Sequence, residues 1–395
     1  MTRVRSFAEE DLPAVADLWR RAFRREGSPA AIQRYFREVF LDGPGRAEGI
    51  GSLCAEDDGG AIKGFIGVLP RRMLFQGRPV QAAAATQLMA APGPGCAFVA
   101  FELVRALFAG PQDLTFSDGS NPVAQSVWVR MGGQVARPYC LEWTRVLRPA
   151  GYAQQLLERR AASARPTSIA RPIARAIDAA AAMLPVPRLA PPRPHLAEQA
   201  LSEDAVLRLL QTTRHPLRPA YDVPSLGWLL QKAAETRGHG RLKARLCCDD
   251  QGAPVGWYVY YAQAGGVSKA LQIGGRPRAL GGVLANLLAD ALAEGSVAIT
   301  GQADPRLWSE LTRTRASLAC RGLDFLVHAR SPEILSVIHQ GEAFMTRLDG
   351  EWWLRFAVDP LVDEAVDAGS GTRSGSVTGS RGAQEWSSAY PPGGV

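Results

Sequence analysis

Histidine is scarce in this chain and unevenly placed. The five are His195, His215, His239, His328 and His339, so residues 1–149 have no imidazole for acid–base work or metal ligation. Six cysteines occur, at Cys54, Cys96, Cys140, Cys247, Cys248 and Cys320, with no Cys-x-x-Cys pair and no histidine at zinc spacing. They read as small buried hydrophobes, and no metal is expected. Nor is there a secretory start: Met1-Thr2-Arg3-Val4-Arg5 runs into Glu9-Glu10-Asp11, which points to the reducing cytosol. Lysine is almost absent. Only Lys63, Lys232, Lys243 and Lys269 are lysine among 45 basic residues, and the arginines are scattered with no aromatic-interleaved stripe. The net charge of +7 therefore argues weakly for nucleic acid, which is set aside. Long apolar runs are missing too. The longest uncharged stretch, Pro79 to Phe101, is interrupted by Gln81, Gln87 and Pro92-Gly93-Pro94-Gly95, which excludes a membrane-crossing helix.

What is present is ordinary globular composition, 46% hydrophobic and 21% charged, over 395 residues. At roughly 100–200 residues per domain, that length fits two domains. The patterning predicts an α/β (α+β) protein. A strand at Thr2 to Phe7 leads into a helix with Leu12, Val15, Leu18 and Trp19 at helical spacing, and a second helix carries Ile32, Tyr35, Phe36 and Val39. A hairpin turning at Asp57-Asp58-Gly59-Gly60 returns through Ile62 to Leu69, and a further strand runs from about Val80 to Met89. Helix, strand, helix and strand follow. The last helix opens with Asn121 as cap and Pro122 at its first position, and the last strand spans Tyr139 to Val146.

The hairpin recurs. Asp57-Asp58-Gly59-Gly60-Ala61-Ile62-Lys63-Gly64-Phe65 matches Asp249-Asp250-Gln251-Gly252-Ala253-Pro254-Val255-Gly256-Trp257, and the helix, strand and helix downstream of each come in the same order. A unit of this length means duplicated domains. Residues 1–149 are read as the first domain and 197–358 as the second. Residues 150–196 form an Ala/Arg/Pro-rich helical linker, and 359–395 a disordered tail rich in Gly and Ser. The linker stripe Ile173, Ile177, Ala181 and Leu184 either packs on its own domain, which is favoured, or lies on a membrane surface. Trp352-Trp353 reads as a terminal strand of the second domain.

The element order, with Val4-Arg5-Ser6-Phe7-Ala8-Glu9-Glu10-Asp11-Leu12, Gly64-Phe65-Ile66-Gly67-Val68, and Asn121 with Trp128 through Gly132-Gly133, resembles the GNAT superfamily of acyl-CoA-dependent N-acyltransferases. The likeness is to tandem members, each domain a mixed central sheet flanked by helices, a group sometimes linked to bacterial surface-polysaccharide synthesis. The resemblance implies acetyl-CoA or another acyl-CoA as co-substrate and a small amine as acceptor, an amino sugar being one suggestion. It implies a strand, Ala84 to Ala90, that splays from its neighbour and offers Gln87, Leu88 and Met89 to the pantetheine arm. Gly93, Gly95 and Cys96 then form the diphosphate cradle, with Asn121 and Trp128 also on the cofactor.

The usual glycine-rich loop is degraded here, and Pro92-Gly93-Pro94-Gly95 reads equally as a tight strand-to-helix turn. Asp118, at a strand end, is the candidate base, and Tyr139 a candidate acid where the family's tyrosine position holds Trp128. Either residue also has a structural reading, Asn121 as a plain helix cap among them. Two other functions stay open: a non-catalytic ligand- or partner-binding protein of the same fold, and an aminoacyl transferase of the tandem type. Neither the oligomeric state nor membrane contact is legible.

Overall fold

The computed structural model describes residues 2–45, 47–160, 170–183, 193–213, 215–320 and 324–362. The first half runs β1 (Arg3–Ser6), α1 (Leu12–Phe23), α2 (Pro29–Phe36), β2 (Leu53–Glu56), β3 (Ile62–Phe75) and β4 (Arg78–Ala90). It continues with α3 (Cys96–Phe108), β5 (Leu114–Ser120), α4 (Pro122–Arg130), β6 (Gln134–Val135) and β7 (Leu141–Val146). Helices α5 (Pro149–Arg160) and α6 (Ala170–Met183) follow. The second half repeats the order with β8 (Ala197–Ala200), α7 (Glu203–Thr212), β9 (Leu217–Pro219), α8 (Val223–Glu235), β10 (Arg241–Cys248), β11 (Pro254–Ala262) and β12 (Val267–Gly275). It closes with α9 (Leu280–Ala293), β13 (Ala298–Gln302), α10 (Trp308–Arg313), β14 (Ser317–Cys320), β15 (Asp324–Ala329) and α11 (Pro332–His339).

Two mixed sheets result, ordered β1-β2-β3-β4-β5-β15-β6, with β9 pairing on β3, and β14-β7-β13-β12-β11-β10-β8. The two orders are the same pattern except that the final strands are exchanged. Thus β7 lies between β13 and β14, while β15 lies between β5 and β6. The compact units follow the sheets. Unit 1 is Met1–Arg137, His215–Gly238 and the described part of Gly322–Val395, and unit 2 is Pro138–Arg214 with His239–Arg321. The contiguous halves expected at 1–149 and 197–358 therefore differ from the units, because each half gives its last strand to the other's sheet and 215–238 joins unit 1.

The hairpin repeat has a local cause. Asp57 Oδ1 accepts from the Gly59 and Ala61 amides, and Asp249 Oδ1 accepts from the Gln251 and Ala253 amides, so one side chain closes each turn in the same way. In unit 1 the helical spacing read from the sequence is realised, with Leu12, Val15, Leu18 and Trp19 all buried. Arg5 grips Asp11 through both terminal nitrogens at 2.7 Å, which ties β1 to the start of α1. β4 is buried on both faces and built of alanine, Ala82 to Ala85, because helices close in from each side. Leu103, Val104 and Leu107 of α3 pack against Ala83 and Ala85 in one core cluster. Each large aliphatic buried this way contributes about 1.5–3 kcal/mol.

Several expectations are corrected. Tyr139 sits in a short 3-10 turn, Arg137–Tyr139, ahead of β7 and in unit 2, because the chain turns there before it enters the second sheet. Trp352-Trp353 is a turn of unit 1, not a strand of a second domain; Trp353 is fully buried and its Nε1 donates to the Leu348 carbonyl at 3.1 Å. In α6, Ile173 and Ile177 are 53% and 55% exposed, so these two side chains do not pack inward. Leu184 and most of the proline-rich stretch lie outside the described residues. The expected tail is held at its start. Asp359 accepts from the Arg237 amide at 2.8 Å and from the Gly238 amide, and Leu361 is buried; residues from 363 lie outside the described set.

Candidate functional site

β4 and β5 of unit 1 are parallel and register Ala82 with Leu114, Ala83 with Thr115 and Ala84 with Phe116. There the pairing ends, although β4 continues to Ala90 and β5 to Ser120. The cause lies in β4. Its register with β3 slips between Phe65 and Gly67, and Gln87 adopts a left-handed φ of 51°, so an extra residue bulges out and bends the strand away. A non-glycine residue in that region is uncommon. It is pinned here by a buried hydrogen bond in which Trp19 Nε1 donates to Gln87 Oε1 at 3.0 Å. On its other edge β5 stays paired with β15 from Leu114 to Ser120, so only the edge facing β4 is opened.

Two carboxylates stand at this fork. Asp118 lies two residues past the last paired position. Its Oδ1 accepts from the Glu351 amide at 2.6 Å and the Trp352 amide at 3.2 Å, while Oδ2 is buried and has no hydrogen-bond partner. Glu351 comes from the turn after Gly350. Its carboxylate accepts from Ser117 Oγ on β5, from Thr86 on β4 and from the Gly119 amide, so it spans the two diverging strands. Ser117 Oγ lies 2.7 Å from Ser120 Oγ. Burial pushes both carboxyl groups well above the ordinary carboxylate range, and Glu351 is raised further by the neighbouring Asp118 charge.

The loop after β4 has Gly93 at φ 136° and Gly95 at φ 85°, both open enough that an added Cβ would meet nothing within 4 Å. Gly95 caps α3 without a side-chain hydrogen bond, which leaves the helix start available to an anion. No cationic residue lies in Ala91 to Gly95, and Phe98 in the first turn is 57% exposed.

Of the residues picked from the sequence, Gln87, Leu88 and Met89 do lie on the strand that leaves its neighbour, and Gly93, Gly95 and Cys96 on the loop and helix start. The Met89 side chain is buried, so that residue offers only its main chain. Asn121 is the α4 cap, its Oδ1 accepting from the Ala124 amide at 2.9 Å. Trp128 is 2% exposed and packs edge-to-face on Phe108 at 5.0 Å, so its indole belongs to the core and not to a cofactor surface. Tyr139 belongs to unit 2 and is not among the partners of Asp118. Glu351, Thr86 and Ser117 were missed; Gly350-Glu351 carried only the signal of a turn ahead of two tryptophans.

Unit 2 has a fork of its own. β12 and β13 register from Val267 with Ala298 to Ala270 with Gly301 and then part, β12 also carrying a bulge near Leu271. Exposed Arg276 and Arg278 precede α9. Two residues beyond the last paired position stands Ala303, where unit 1 has Asp118; the next residue, Asp304, accepts from the Arg306 amide at 2.9 Å and from its Nε at 2.8 Å. Among the described residues no cluster of three or more His, Cys, Asp or Glu is arranged for a metal, and no described helix is long and apolar enough to cross a membrane.

Residues 3–108 match the family model of the acetyltransferase (GNAT) domain. No curated protein matches the chain. Among solved structures it is similar to a conserved protein of unknown function from Enterococcus faecalis V583 described as a probable N-acyltransferase, at TM-score 0.55 and 13% identity over 83% of this chain and 73% of that one. A GCN5-related N-acetyltransferase from Anabaena variabilis aligns at TM-score 0.53 and 12% identity, over 83% and 73% of the two chains. One from Kribbella flavida aligns at 0.51 and 14%, over 83% and 71%. At these identities the likeness establishes the fold: two GNAT-like units in one chain.

Proposed function

We propose that this GNAT-fold chain is an acyl-CoA-dependent N-acyltransferase and that transfer takes place at the fork of unit 1. The observation that supports this reading is the parallel register that stops after Ala84 and Phe116 while both strands go on. In it, the main chain of Gln87 to Met89 pairs with the pantetheine arm, and the uncapped start of α3 faces the diphosphate. The amine nitrogen attacks the thioester carbonyl, a C–N bond forms, the C–S bond breaks and the thiolate leaves. The amine's proton goes to the Asp118 and Glu351 pair, whose raised affinity for protons suits a base working near neutral pH.

Calorimetric titration with acetyl-CoA and with desulfo-CoA tests the reading; no heat from either ligand sinks it. If they bind, Glu351→Gln should retain that binding and lower kcat/KM about 100-fold or more. The acid limb of the wild-type rate profile should fall above the ordinary carboxylate range. A second reading, ligand binding by the same fold without catalysis, is favoured by exposed Phe98 and by the cation-free loop before α3. It predicts no acyl transfer to any amine even where CoA binds.

A further inference from the structure

Four non-glycine residues among those described adopt a positive φ: Arg24, Gln76, Gln87 and Arg315. Arg24 closes α1, and Gln76 and Arg315 lie in turns; Gln87 alone stands inside a strand. An L residue in that region is crowded by its own carbonyl, so it persists only where its surroundings hold it, and residues held in this way gather at ligand clamps. Glycine would take the same backbone freely. Glutamine stands there with its side chain committed. Its Oε1 accepts from Trp19 Nε1 at 3.0 Å, and breaking that bond would strand a buried N–H and a buried carbonyl together.

The indole is held in turn. Its ring lies 6.1 Å from Phe23 and 6.3 Å from Phe356. Phe356 follows Glu351 on the same returning segment, so the stretch that brings the carboxylate to the fork also backs the indole. Unit 2 makes the same bond from a different place. Trp257 Nε1 donates to Gln272 Oε1 at 2.8 Å, both buried, and Gln272 lies beside the register slip of β12, just past its last pairing with β13 at Ala270. Trp257 stands on β11 where the matching hairpin of unit 1 has Phe65, whereas Trp19 stands on a helix. The duplicated hairpin therefore did not carry the bond with it; each fork has its own indole-to-glutamine tie.

What the tie controls in unit 1 is a free strand edge. Relaxed to an extended φ, residue 87 would remove the bulge, and β4 beyond Ala84 would run on along the unpaired edge of β5. We propose that Trp19 is a positioning residue for the acyl donor: by holding Gln87 left-handed it keeps β4 parted from β5, so that the main chain of Gln87 to Met89 stays open to the pantetheine arm. This rests on the acyltransferase reading. Affinity for the acyl donor then follows the share of chains whose fork is open.

Binding of desulfo-CoA to the full chain is measured by calorimetry for wild type, Trp19→Phe, Gln87→Met and the double variant Trp19→Phe/Gln87→Gly. Phenylalanine keeps an aromatic ring and removes the N–H; methionine keeps the length and removes the carbonyl. Each single change should weaken binding about tenfold or more. The double variant should return to within about threefold of wild type, because glycine takes the positive φ without a tie and no polar atom is stranded. A merely structural tie would lower the melting temperature of the single variants and leave their affinity unchanged. That result overturns the proposal, as does a double variant that binds no more tightly than Trp19→Phe. Should Trp19→Phe fail to fold, the affinity of Gln87→Met decides. If wild type itself binds no desulfo-CoA, the acyl-CoA reading has failed, and the tie is judged from crystals of whichever single variant folds: an extended φ at residue 87 supports it, and a retained left-handed φ with the bulge intact overturns it.

Discussion

Gly350 makes the carboxylate pair possible. A Cβ at that position would stand 2.2–2.4 Å from the carboxyl atoms of Asp118, a distance no contact tolerates, so the turn must carry glycine for the Glu351 amide to reach Asp118. Gly350→Ala is expected to cost about 1–3 kcal/mol in urea unfolding, the usual penalty of overpacking, and an unchanged midpoint would refute the close approach. The pair also sets a pH dependence. Both carboxyls are held above their ordinary values, so the folded chain binds protons more readily than the unfolded one. Their contribution is full below the unfolded range, about pH 4, and is lost as pH rises through the folded values. Stability should therefore decline between about pH 5 and pH 8, and Glu351→Gln should flatten that decline in unfolding experiments run across the range. The place of Asp118 near the end of a strand was legible from the turn residues Ser117-Asp118-Gly119. Glu351 was not, since its partner lies 233 residues away and no spacing encodes such a contact. Trp128 was misread for a related reason: one helical position does not say which face is buried.

At the scale of elements, order and type could be read from periodicity and breakers, and the fork between β4 and β5 from the resemblance alone. The bulge at Gln87 leaves no mark in the sequence, because glutamine is an unexceptional residue until its backbone is seen. A second case is β8, exposed along its length but fixed at its start by the fully buried Asn286. Asn286 Oδ1 accepts from the His195 and Leu196 amides at 2.9 and 3.1 Å, while Nδ2 donates to the Leu196 carbonyl and to Glu198. Asn286→Ala should destabilise the chain by about 1–3 kcal/mol. Faster hydrogen exchange should be confined first to the amides of 195–200; uniform exchange would show that β10 alone holds the strand.

For the whole molecule, duplication was visible in the repeated hairpin and in matched order, but the exchange of final strands was not. Leu141–Val146 and Asp324–Ala329 each read as a strand, and strand propensity does not name the sheet that receives it. Residues 1–149 expressed alone lack β15, which separates β5 from β6, and should give no cooperative unfolding transition. Chains 1–184 and 193–395 produced together should co-elute one to one on gel filtration. A well-folded 1–149 fragment would contradict the exchange.

The crossed strands also impose a timetable on synthesis. When Ser120 leaves the ribosome, β5 has a bare edge, and the strand that covers it is translated only with Ala329. At 5–20 residues per second that interval is roughly 10–40 s, during which a nascent chain presents an unpaired template to its neighbours. Prematurely terminated products of this gene should accordingly be insoluble or bound to chaperones, whereas the finished polypeptide covers that edge with β15.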